Sequence, residues 1–239
     1  MDIHKPKPVH SWREFLSEIC VIVTGIAIAL GGEQVIEAIH WHHKVEATET
    51  SIKAELGNNL RWALQIKQNG LCATEFLDTF QAAVIANDTP TISRLDELRG
   101  TDNGPFSPAP WSSDTFKAAL GSQVGDHLAE GRMVAYSREF TWIPLQMEFQ
   151  VKLYDELATA MTARFGLPRT PDTLDRQLAA ISRLRSDENG RLDIAAAMLA
   201  YASENLAISP SNPTYLAANV TQAKNCEAQL QTIQTATRH

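Results

Sequence analysis

The stretch Ile19–Gly32, ICVIVTGIAIALGG, runs for fourteen residues without a charged side chain. Three structures suit such a run: the apolar core of a secretory signal, a buried helix of a soluble protein, and part of a membrane span. Alone it is short for a span, which needs about 20 residues. Its flanks lengthen it. Phe15 and Leu16 continue the apolar pattern upstream, and Val35, Ile36 and Ile39 continue it downstream. Trp12 and Trp41 stand 29 positions apart, which is ~43 Å along a helix. A bilayer with its headgroups measures ~40–45 Å, and tryptophan favours its two faces. A transmembrane helix therefore leads the three readings.

The flanks also set an orientation. Lys5, Lys7 and Arg13 precede the run, whereas Lys44 alone follows it closely, among Glu37, Glu46 and Glu49. The positive-inside rule puts the N-terminus in the cytoplasm and the rest in the periplasm of a bacterial inner membrane. The expected division is a cytoplasmic tail over 1–11, a span with its interface over 12–43, and a helical periplasmic domain over 44–239. Ser11 and Glu14 have the spacing of a capping box, so the helix should start there. Glu18, Glu33 and Glu37 fall at the span boundaries, where a neighbouring protein or local thinning has to accommodate them. Gly25, Ala29 and Gly32 lay small residues along one helix face, which lets a second helix approach closely. Gly and Ala are also simply common in membrane helices.

Trp12-Arg13-Glu14-Phe15-Leu16-Ser17-Glu18, the run Val21–Leu30, and Glu33-Gln34 together resemble the anchor of a group of uncharacterised bacterial single-span membrane proteins. Those share a glutamate, an apolar run and Gly-Ile-x-Ile-Ala-Leu, followed by a helical ectodomain. Ala109-Pro110-Trp111-Ser112-Ser113, with Tyr136-Ser137-Arg138-Glu139-Phe140 downstream, is a weaker likeness to the same group. The resemblance implies membrane anchoring and a helical body, and it implies no activity.

Net charge is −7 over 239 residues. Residues 1–13 hold three bases against one acid, so the remainder carries −9. An acidic body without a basic patch is a poor partner for nucleic acid. Of three cysteines, Cys20 lies within the apolar run, while Cys72 and Cys226 lie in the body. No zinc-like spacing is present. In an oxidising periplasm Cys72 and Cys226 are candidates for a disulfide; the alternative is two buried free thiols.

The body reads as all-α, a helical bundle continuing from the anchor. Ile52, Leu56, Leu60 or Asn59, Ala63 and Ile66 form one stripe, and Asn69-Gly70 is a candidate stop. Leu71–Ala86 follows with Phe76, Leu77, Phe80 and Val84 inward. Asn87–Pro90 is a turn, Ile92–Leu98 a short helix, and Gly100–Pro110 a loop. Trp111-Ser112-Ser113-Asp114 starts a helix ending near Gly121. A long helix from about Asp126 to Phe165 should kink at Pro144. Gly166–Pro171 is a link, and a helix runs from Pro171 through Arg185. Ser186–Gly190 breaks or bends it before Leu192–Leu206. Ser209–Pro213 is a turn, and Thr214–Thr235 closes the chain.

Several clusters invite a chemical reading. His40, His42 and His43 around Trp41 could hold a metal, with Glu37 and Glu46 nearby, but membrane-interface rings are the plainer account. Glu148 with Asp155 and Glu156 could act as acid and base, or decorate a solvated face. His127 and Ser122 form no triad pattern. Trp111, Phe116, Tyr136, Phe140, Trp142 and Phe149 read as core, with a ligand pocket among them as the alternative. No catalytic residue, metal site or cofactor is expected. Only about a dozen residues are expected on the cytoplasmic side, too few for an output domain. The expectation is a non-catalytic accessory subunit, meeting lipid and other membrane proteins, its own copies included, through its span. A membrane-anchored periplasmic sensor or small-ligand-binding module is the alternative.

Overall fold

The computed structural model describes residues 12–102, 104–162 and 170–236. The expected tail over 1–11, the Ser11 cap and most of the 166–171 link lie outside the described residues. The chain divides into two units, residues 1–49 and 50–239. Among the described residues there is no strand, and the architecture is all-α.

Helix α1 spans Trp12–Ala86. No proline occurs between Pro8 and Pro90, so nothing in that interval removes a helical amide. In the first unit every described side chain from residue 15 to residue 40 is exposed. In the second, Ile52, Leu56, Leu60 and Ala63 are fully buried along the expected stripe, and Asn59 with them. The expected stop at Asn69-Gly70 is absent, because both residues serve packing. A Cβ at Gly70 would come within 2.6 Å of a Leu192 methyl, so glycine lets the helix that carries Leu192 close in. Asn69 is buried. Phe76, Leu77, Phe80 and Val84 then point inward within the same helix.

Helix α2 (Thr89–Arg99) is capped by Asp88, whose carboxylate accepts from the Thr91 amide at 3.1 Å. An irregular segment leads to α3 (Asp114–Leu120), which starts three residues later than Trp111. The expected long helix from Asp126 is three: α4 (Val124–His127), α5 (Glu130–Phe140) and α6 (Trp142–Met161). Leu128 is extended and separates the first two. Thr141 alone, itself in αR geometry, separates α5 from α6; the interruption falls one turn before Pro144, which has no amide to offer the Phe140 carbonyl, so the break expected of that proline is present.

Helix α7 (Pro171–Tyr201) begins at a capping box between Thr170 and Thr173. It passes through Ser186–Gly190 unbroken and ends in a π-helical turn over Ala202–Leu206. Gly190 again serves contact, since a Cβ there would meet the Phe149 ring at 2.8 Å. Helix α8 spans Pro213–Ala236.

Side-chain contacts between helices give their directions. Gln65 bonds Gln222 at 3.4 Å, and Gln234 donates to Thr79 at 2.9 Å, so α8 runs parallel to α1. Asp78 pairs with Arg185 at 2.6 Å while Gly70 faces Leu192, so α7 runs antiparallel to α1. Glu156 pairs with Arg183, and Gln146 reaches the Arg191 carbonyl, so α6 opposes α7. The body is thus organised on α1, α6, α7 and α8.

Candidate functional site

The core of this bundle is split in two. One apolar cluster holds Cys72, Phe76 and Phe80 of α1, Leu153 and Leu157 of α6, Leu184 of α7 and Leu230 of α8. The other holds Ile52–Ile66 of α1, Ile143 of α6, and Ala195 and Met198 of α7. Between them each helix places polar residues inward. Gln65 and Asn69 come from α1, Gln146 from α6, Glu188 and Arg191 from α7, and Asn219 from α8, all buried.

Arg191 and Glu188 form an ion pair at 2.8 Å, each side chain under 5% exposed (3% and 4%). Burial pushes the Glu188 carboxyl up, and the Arg191 charge and hydrogen bond pull it back. Such a pair adds little net stability, because desolvation consumes most of the Coulomb gain, yet losing one partner is costly. Gln146 Nε2 donates to the Arg191 carbonyl at 3.1 Å. A cavity of about 10 Å³ adjoins the pair, lined among others by Trp62, Asn69, Ser107 and Arg191.

The irregular segment after α2 straps across this layer. Helix side chains satisfy its backbone, as buried peptide groups require. Tyr154 donates its hydroxyl to the Phe106 carbonyl at 3.3 Å, and Gln150 accepts from the Ala109 amide at 2.9 Å. Gln222 reaches the Asp102 carbonyl and the Ser107 hydroxyl. Further along, the Asn59 amide clamps Ser112 by both backbone groups, donating at 2.6 Å and accepting at 3.1 Å. Glu55 accepts from the Ser112 hydroxyl at 2.6 Å and from the Thr115 and Phe116 amides at 3.1 Å each. A carboxylate from α1 therefore caps α3 in place of the idle Ser113 side chain. Trp111-Ser112-Ser113 is where the strap locks onto α1.

The clusters singled out from sequence separate under the structure. Trp41 Nε1 donates to Glu37 at 3.4 Å, Lys44 lies over the Trp41 ring, and His42 touches His43. Among the described residues no group of three His, Cys, Asp or Glu side chains could hold a metal. Trp12 contacts Phe15, while Glu18 and Glu33 are exposed. Glu148 pairs with Lys152 at 2.7 Å and Glu156 with Arg183 at 2.6 Å. Phe116 and Phe140 stack 4.5 Å apart. Cys72 and Cys226 are bonded to each other, with Cα atoms 6.1 Å apart, and Cys20 is free. Gly25 and Gly32 have open space where a side chain would stand, and Ala29 is exposed.

Sequence reading missed the polar layer and Glu139. That carboxyl is fully buried on α5, neither oxygen has a hydrogen-bond partner, and burial raises it from an ordinary 4.5 to about 8. A signal was present. Leu184, Glu188, Arg191 and Ala195 keep core spacing on α7, as do Tyr136, Glu139 and Ile143 around α5.

No known protein family, curated protein or solved structure matches the chain.

Proposed function

We propose that the chain is a non-catalytic, single-span inner-membrane protein serving as an interaction or assembly subunit of a larger membrane complex. The observation that carries this reading is the first part of α1. It is long and apolar enough to cross a membrane, and none of its most apolar window is buried. Val21, Ile28 and Ile36 are each about 70% exposed (70%, 70% and 71%). Water does not tolerate so continuous an apolar surface on a soluble monomer. Lipid on most of the helix, and a second span against Gly25, Ala29 and Gly32, would cover it. That second span comes from another membrane protein or from a copy of this chain. The basic residues Lys5, Lys7 and Arg13 favour a cytoplasmic N-terminus, and the buried disulfide suits an oxidising periplasm for the body. Kinship with the group that shares this anchor belongs to the same proposal.

The test is extraction of membranes holding the full chain. Carbonate and high salt should leave it in the pellet and mild detergent should release it with its partner. A reporter joined after His239 should work only if it is active in the periplasm. Release by salt alone would remove the anchor, and a cytoplasm-active reporter would reverse the orientation.

A further inference from the structure

Of the buried polar-layer atoms that lack a partner, two belong to residues lining the small cavity: the Arg191 Nε–H, a donor, and Asn69 Oδ1, an acceptor. Both side chains are 3% exposed and both line the cavity of about 10 Å³. Buried polar atoms of native proteins are almost always paired. We propose that this chamber is a binding site for one water molecule, which accepts from Arg191 and donates to Asn69.

Size and chemistry select water. A bound water needs roughly 10–15 Å³ of such space and two to four polar partners. Organic solutes are too large. A cation cannot accept from Arg191. A halide can accept but cannot donate to Asn69, and it would sit beside the Glu188 carboxylate that shares the wall. Water alone does both, and the Ser107 hydroxyl on the same wall offers a third contact. The strap holds it in, through the bonds of Gln150 to Ala109 and of Gln222 to Ser107. The water then satisfies both atoms and is part of what fastens the strap to the bundle.

The experiment uses the full chain in detergent. A structure at a resolution that shows solvent should place one peak about 3 Å from both Arg191 Nε and Asn69 Oδ1. Water-to-protein cross-relaxation should appear at the Arg191 Nε proton. Asn69→Asp keeps an acceptor and should keep that signal, whereas Asn69→Leu fills the chamber and should abolish it. A direct Arg191–Asn69 hydrogen bond, a dry chamber, or an anomalous peak there after bromide soaking would each overturn the proposal. The wild-type measurement decides even where a variant fails to fold.

Discussion

Glu139 makes the behaviour of a single side chain measurable. Its carboxyl is enclosed without a partner and is raised to about 8. Between its ordinary value of 4.5 and about 8, the folded chain keeps a proton that the unfolded chain has released. Stability conferred by this group is therefore complete at acid pH, falls as pH rises through that window, and levels off above it. Glu139→Gln removes the ionisation while keeping the shape. Urea melts at about pH 5 and about pH 9 should show the wild type losing stability on the order of a few kcal/mol more than the variant. Equal losses would mean that the carboxyl finds a partner. Glu188 is shifted in the same direction, so a remnant of the slope should survive in the variant.

At the scale of elements, α1 carries two different surfaces, and each has its own test. Replacing Gly25 and Ala29 together with Leu adds apolar area, so insertion should persist, but it blocks close approach of a second helix. A native gel of detergent extracts should show the complex disturbed; an unchanged complex would put lipid on that face. Most of the helices were legible from sequence because their apolar stripes are local and periodic, as in Ile52–Ile66 and Phe76–Val84. Asn69-Gly70 was misread for the opposite reason. As a dipeptide it signals a stop, but its role is fixed by Leu192, distant in sequence, and by the Asn69 cavity. The polar layer was hidden because its members come one or two at a time from four helices. Gln65, Gln146, Glu188 and Asn219 look like ordinary surface residues until the bundle closes on them.

For the whole molecule, the bond between Cys72 and Cys226 ties α8 to α1 beside the polar layer, across a separation of 154 residues. Closing so long a loop restricts the unfolded chain by about 5 kcal/mol in the chain-entropy account. Replacing both cysteines with alanine should lower unfolding free energy by up to about that amount, seen as an earlier denaturant midpoint of the body. An unchanged midpoint would mean that the loop is already compact when unfolded. Both sulfurs are buried (0% and 1% residue exposure), so a reductant should act on the native protein only as fast as the body opens. The same bond alters how the polypeptide is connected. Helices α2 to α7 belong to a covalent ring, entered from the apolar segment at Cys72 and left towards the C-terminus at Cys226. Thr101 and Asp102 are exposed on that ring. A protease that nicks the backbone there turns the ring into a branched chain, and neither product leaves. The body stays chained to the segment that precedes it until the sulfurs are parted, so one cut at this exposed turn sheds nothing.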